Sequence, residues 1–377
     1  MMNEEEFFNE EDVAHICKIK IIGIGGGGNN AVNRMMEAGL QGVEFWVANT
    51  DMQVLRTAKT KNQIILGRST TRGLGAGANP NVGKEAALES EQEIRDVIRG
   101  TDLVFLAAGM GGGTGTGAAP EFARIAREEG ALTIGVVTRP FSFEGKARNA
   151  NATEGIERLK EYVDSLIIVS NDKLLLMNGS AFIKDAFKQA DDVLRQSVQS
   201  ITDLIALPSV INLDFADIRT VMANKGTAMI GFGIGKGAKK AHEAASKAIS
   251  SPLLESNFMG ARNAIVNITC GETVTLDDTN EVAYIIKEAA GTDINIIIGY
   301  SFNEKLDDEM IVSVIATDFD DKVVQQAALH NDSFHRKPQI EVQERLELDM
   351  EDKQQEEEVQ EDSLIPSFLQ NQYKDNF

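Results

Sequence analysis

The sequence predicts an α/β fold: a Rossmann-like parallel sheet covered by helices, a long central helix, a second and smaller α/β domain, and a disordered acidic tail. Three observations predict it. Five β-branched apolar runs bounded by turn residues alternate with helical stretches as far as Asn171, one long amphipathic run follows them, and beyond Asp320 the composition turns to Gln, Glu, Asp and Asn. Continuous apolar strands between helices are the pattern of a parallel sheet buried on both faces.

The strands expected in the first domain are Ile19 to Gly25, Val43 to Asn49, Asp102 to Gly109, Leu132 to Thr138 and Ser165 to Asn171. Next, Phe182, Ala186, Ala190, Val193, Ser197, Ile201 and Leu204 step by three or four residues, the helical period, and Pro208 stops the helix. A second α/β unit then runs to about Asp318, with strands at Asn263 to Cys270, Ile294 to Tyr300 and Met310 to Thr317 and a helix from about Asn280 to Gly291. The expected organisation is an acidic N-terminus over 1–15, a first domain over 16–177, the central helix over 178–207, a second domain over 208–318, an acidic linker over 319–362 and a terminal peptide over 363–377. No internal repeat is evident.

Composition narrows the function. The 377 residues carry a formal charge of −21, concentrated at the ends: six acids and no base in residues 1–12, and eleven acids against Arg345 and Lys353 in residues 341–362. Such ends repel themselves into extension, and the mildly acidic body lacks the basic footprint of a nucleic-acid binder. Cys17 and Cys270 lie far apart with no CxxC spacing, so a reducing cytoplasm is expected, without a disulfide framework or zinc site. No apolar run reaches the roughly 18–20 residues that span a bilayer, so neither a membrane helix nor a signal peptide is expected.

The chemistry begins at GIGGGGNNAVNRM from Gly23, which closes the first strand and opens a helix. Glycines let backbone approach a phosphate, and a helix N-terminus offers free N–H groups. Gly23, Gly25 and Gly28 also fit GxGxxG, with Asp51 placed as a ribose acid would be, so an NAD-dependent oxidoreductase is one reading; tight packing of strand on helix is a plainer one. A second loop, AAGMGGGTGTGAAP from Ala107, puts six glycines and two threonines between Gly109 and Gly117. A nucleoside triphosphate has enough phosphates to occupy both loops. Neither GxxxxGK[ST] nor NKxD occurs, which excludes the ordinary P-loop architectures.

GGGTGTG resembles the signature of the tubulin/FtsZ superfamily. The resemblance to the bacterial FtsZ family extends over residues 18 to about 318 through GGGGNNAVNRM, ANTD, TRGLGAGANP, AAGMGGGTGTGAAP, TRPFSFEGKAR, ADDVLRQ and NLDFADIRT. It implies a GTPase that polymerises head to tail for cell division in the cytoplasm beneath the membrane, binding GTP or GDP with Mg2+. By the same resemblance Gly25, Gly26, Gly27, Gly28, Asn29 and Asn30 line the phosphates with Gly112, Gly113, Thr114 and Gly115. Glu144 and Arg148 hold the ribose region, and Phe187 and Asp191 stack on and hydrogen-bond guanine. A carboxylate accepting from guanine N1–H and N2–H also rejects adenine, which lacks that donor pair.

In NLDFADIRT, Asp214 and Asp217 share a face if a helix starts there, and the plainer reading is a helix cap with a first-turn acid. The resemblance implies that Asn212, Asp214 and Asp217 act on the nucleotide of the next subunit, across a heterologous contact whose product is an open filament. A filament protein that binds GTP without hydrolysing it would keep the same loops. SLIPSFLQNQ, Ser363 to Gln372, restores apolar residues inside the polar tail and resembles the FtsZ peptide that docks a membrane tether and other division proteins, although Leu364, Gln370 and Gln372 depart from it. His15, His242, His330 and His335 fall outside every motif, and Met35, Met36 and Trp46 read as core.

Overall fold

Sequence alternation becomes a three-layer stack in the computed structural model, which describes residues 17–178, 182–206, 214–251, 258–271, 273–291, 293–303 and 306–319. These belong to one compact unit, residues 1–324; the second unit, residues 325–377, lies outside the described residues, as do the N-terminus to residue 16 and the tail peptide.

Strands β1 (Ile19–Ile24), β2 (Glu44–Asn49), β3 (Gln63–Ile65), β4 (Leu103–Gly109), β5 (Leu132–Arg139) and β6 (Ser165–Ser170) pair in parallel in the order β3-β2-β1-β4-β5-β6. Their faces are buried on two sides. One carries α1 (Gly25–Glu37) and the long α8 (Ile183–Ala206), and a shared core joins Val32 and Met35 to Leu194, Val198 and Ile201 over Ile21, Phe105 and Ile134. The other packs α3 (Pro80–Glu89), α4 (Glu91–Ile98), α5 (Thr114–Glu128) and α6 (Lys146–Lys160) on Ile22, Ile24, Val104, Leu106 and Val137. The short α2 (Met52–Arg56) follows β2, and α7 (Asn171–Asn178) follows β6.

After α8 the chain forms α9 (Phe215–Met222) and then β7 (Gly226–Lys236), which belongs to both halves of the molecule. Its first residues pair in parallel with β6, Ser165 to Ile167 against Gly226 to Ala228; the remainder pairs antiparallel with β10 (Glu309–Phe319). β8 (Ala261–Cys270) joins β10 antiparallel and β9 (Asn295–Phe302) in parallel, while α10 (Lys240–Ile249) and α11 (Leu276–Ala290) close a third core.

Several sequence expectations shift. The helix expected from Asn280 starts at Leu276, because Thr275 and Asp278 form a reciprocal capping box there. Phe182, expected on the buried stripe of the central helix, is 81% exposed, since it precedes the first helical residue. β3 and β7 were not anticipated: the first is too short to show periodicity, and the second is written largely in glycine. Gly231, Gly233 and Gly235 let α10 lie directly on β7, where a Cβ would meet its carbonyls at 1.9–2.0 Å. Met35 is buried, and Trp46 packs partly buried with Lys20 over its ring.

Candidate nucleotide site

In the order 3-2-1-4-5-6, chain direction across the sheet reverses between β1 and β4, and a crevice opens at the carboxyl ends of those two neighbours. Both glycine loops leave the sheet there. α1 starts straight from β1 with no side-chain cap and no acid in its first turn, and α5 starts the same way behind Gly113. A Cβ on Gly25, whose φ is +71°, would lie 2.8 Å from the Gly115 nitrogen, so the two N-termini converge. Uncapped N–H groups and two aligned positive helix ends make this a place for an anion of high charge.

The glycines divide into two kinds. A Cβ on Gly28 would stand 2.2 Å from the Ala107 carbonyl oxygen, one on Gly115 2.7 Å from that of Gly109, and one on Gly113 2.9 Å from the Asn79 backbone nitrogen. These positions are glycine because backbone packs on backbone. At Gly26 and Gly112 a Cβ would meet nothing within 4 Å, and Gly27 faces Gly109 at 3.2 Å. Gly26 and Gly112 therefore border open space, where a ligand can come close to bare backbone.

Polar groups hold the loops in place. With its amide nitrogen turned inward, buried Asn29 donates to the carbonyls of Gly23 and Gly25 at 2.9 Å each, whereas Asn30 is exposed. Thr114 Oγ1 and Thr50 Oγ1 are 2.6 Å apart, and Gly111 N–H donates to the buried Thr116 hydroxyl at 2.8 Å. Asp51 caps α2 by accepting from Gln53 N–H at 2.8 Å.

On the neighbouring strands, Glu144 closes a single 3-10 turn, Ser142–Glu144, by accepting from Phe141 N–H at 2.9 Å and pairs with Arg148 at 2.9 Å. Phe187 reaches this group from α8: its ring meets Phe141 edge-on at 5.1 Å, and Phe143 stacks on Phe141 at 5.0 Å. Sequence reasoning missed Phe141 and Phe143, although the alternation in PFSFEG carried the signal. One turn further along α8, Asp191 shares with Asn30, Asn33, Arg34 and Phe187 a cleft of about 340 Å³. Burial pushes its carboxyl above the ordinary range, with Arg34 opposing.

The acids lie elsewhere. Asp214 caps α9, and α9 leads into the amino end of β7, which runs parallel to β6. The glycine loops sit at the carboxyl ends of this parallel set. α8, 24 residues and so about 36 Å long, spans the sheet from one end to the other. Within one chain, then, the structure gathers the glycine loops, Glu144, Arg148, Phe187 and Asp191, and leaves Asp214 and Asp217 at the far end. Asn212 lies outside the described residues.

This fold and its paired glycine loops define a tubulin-like GTPase, and comparison with known proteins agrees. Residues 18–179 match the GTPase domain of the tubulin/FtsZ family, and residues 226–320 match the C-terminal domain of the FtsZ family. The FtsZ dimer of M. jannaschii is 43% identical with a TM-score of 0.77, over 80% of this chain and 88% of that one. CetZ1 of Haloferax volcanii, a GDP-bound monomer, and CetZ2, a GTPgS-bound protofilament, share the fold at TM-scores of 0.70 and 0.68 and identities of 20% and 17%, each over 84% of this chain and 99% of theirs. The chain belongs to the FtsZ family and is a GTPase. The dinucleotide oxidoreductase reading ends with that family match; Asp51, its ribose acid, caps α2.

Proposed function

We propose that this GTPase assembles head to tail into cytoskeletal filaments of bacterial cell division and hydrolyses GTP where two subunits meet. The observation that carries the reading is the position of Asp214 and Asp217 at the opposite end of the sheet from the glycine loops. An acid there can reach a γ-phosphate only on another copy. In that junction, free N–H groups at Gly26, Gly27 and Gly112 to Gly115 bind phosphate oxygens, and Thr114 adds a hydroxyl. Gly25, Gly28 and Asn29 fix the loop, Asn30 lies at its open side, Glu144 and Arg148 border the ribose, and Phe187 and Asp191 take guanine. Asn212, Asp214 and Asp217 of the next subunit orient the attacking water, which is mostly a positioning problem.

Mg2+ neutralises charge between the phosphates when bound. Among the described residues no group of three His, Cys, Asp or Glu side chains could hold a metal ion, and the cation is assigned to the nucleotide rather than to a site of its own on the chain. No described helix is long and apolar enough to cross a membrane, and attachment at the division site is assigned to a tether that binds Ser363 to Gln372. The test is phosphate release from GTP over a dilution series. Turnover per subunit should rise above a threshold concentration; turnover that stays flat across sedimentable assembly refutes the shared site. Filaments that form and release no phosphate would select the non-hydrolysing alternative.

A further inference from the structure

The guanine end of the cleft contains a cation, the arginine of GGGGNNAVNRM, to which the sequence reading gave no role. Arg34 stands on α1, and its Nε donates to Asp191 Oδ2 on α8 at 3.1 Å. Both side chains are largely covered, 29% and 16% exposed. The pair bridges the helix that begins at the phosphates and the helix that carries the base-reading groups.

We propose that Arg34 is a specificity-determining positioning residue, which engages one oxygen of Asp191 so that the carboxylate stays charged and oriented to accept from guanine N1–H and N2–H. The proposal rests on the guanine reading of Asp191. One bond from Arg34 to Oδ2 leaves Oδ1 and the second lone pair of Oδ2 for the base. A carboxylate stripped of water is costly to keep ionised, and here burial is the largest influence raising the pKa, with Asp192 adding repulsion while the bond and charge of Arg34 pull the other way. A protonated carboxyl would offer a donor to a base edge that itself donates, and preference for guanine would fall.

Other charges around the cleft have their own engagements. Glu37, further along α1, pairs with Lys59 at 2.8 Å. Asp192 is held by Arg195 at 2.7 Å and by Gln196 at 2.9 Å, and Lys188 pairs with Asp185 at 3.9 Å. Lys184 lines the outer wall of the same cleft. Arg34 is the cation bonded to Asp191 itself.

The experiment measures GDP and IDP binding to the full chain below its assembly concentration, from pH 6 to pH 8, for the wild type, Arg34→Gln, Arg34→His and Asp191→Asn. IDP lacks the N2 donor, so the GDP to IDP preference reads the carboxylate directly. The wild type should hold its preference across the range. Arg34→Gln should lose about tenfold of it at pH 6 and regain part by pH 8, as Asp191 ionises without help. Arg34→His should run the other way, near wild type at pH 6, where the imidazole is charged, and falling to the Gln variant's level at pH 8. A preference that ignores pH in both variants overturns the proposal, since a merely structural arginine moves neither slope. If Arg34→Gln does not fold, the fall of Arg34→His relative to the wild type decides alone. Failure of the underlying reading looks different: the wild type would then bind GDP and IDP equally well, or Asp191→Asn would keep the wild type's preference.

Discussion

Asp214 Oδ1 accepts a hydrogen bond from the Asp217 backbone N–H at 2.8 Å, so the first acid of the proposed catalytic pair caps the helix on which the second stands. One side chain therefore serves both local structure and the proposed chemistry. Asparagine caps a helix as well as aspartate, and alanine does not.

That separates the two roles by substitution. Asp214→Asn should keep the thermal stability of the wild type and lower GTP turnover in assembled protein at least 100-fold, whereas Asp214→Ala should lose turnover and about 1 kcal/mol of stability as well. Phosphate release and a thermal melt on the same samples check both. Near-normal turnover in Asp214→Asn would remove the charge from the mechanism.

The two kinds of glycine predict opposite outcomes for the same substitution. Gly28→Ala pushes a methyl against the Ala107 carbonyl and should destabilise the protein by several degrees before any nucleotide is added. Gly26→Ala has room and sits in helical backbone, so the apo protein should melt no lower than the wild type, while GDP affinity drops as the methyl enters the phosphate space. If Gly26→Ala bound GDP normally, the open side of that loop would not be where phosphate lies.

Asp203, near the end of α8, has its carboxyl pushed up to about 6 by burial, against a bond from Gln199 and the charge of Arg195. A raised folded-state value means that its stabilising share is present below the unfolded value near 3.8 and is lost as pH rises through about 6. Asp203→Asn should therefore gain about 1–2 kcal/mol at pH 7.5 and nothing at pH 4, in urea melts at the two pH values. Equal gains at both would show that ionisation is not the cause.

Glu89 pins the loop after β3. It accepts from the N–H groups of Ser69 and Thr70 at 2.8 and 2.9 Å and from the Thr70 hydroxyl at 2.7 Å, and these bonds hold its carboxyl down at about 2. A depressed value gives a tether that is complete above the ordinary 4.5 and lost as pH falls through about 2. The amide resonances of Ser69 and Thr70 should hence stay put between pH 5 and pH 3; a midpoint near 4.5 would contradict the anchoring.

Legibility in the sequence followed the strength of local signals. The five long strands of the first sheet were readable because buried parallel strands are written in uninterrupted Ile, Val, Leu and Phe, and the glycine loops were readable because so many glycines at a strand end have few other uses. β7 was not, since its glycines record the approach of α10, a contact that local periodicity does not encode. Nor did the sequence say which glycines pack and which face open space, a distinction that depends on β1 and β4 being neighbours. Phe141 and Arg34 escaped for a related reason: each matters through a partner on α8, across a separation of 46 residues for one and 157 for the other.

β7 also has a mechanical consequence. Its parallel seam with β6 extends over Ser165 to Ile167, while its antiparallel seam with β10 extends over Glu309 to Ala316. Under tension along the chain of subunits, load passing from one half of the molecule to the other crosses the shorter seam, reinforced by the Asp164 carboxylate accepting from Asn224 N–H at 3.1 Å and the Ser165 hydroxyl donating to the Met222 carbonyl at 2.6 Å. The subunit should yield there first, parting the core that Ile265 and Ile315 share with the first sheet while the third core stays intact, and a pulling experiment would record that as a small extension ahead of the main rupture.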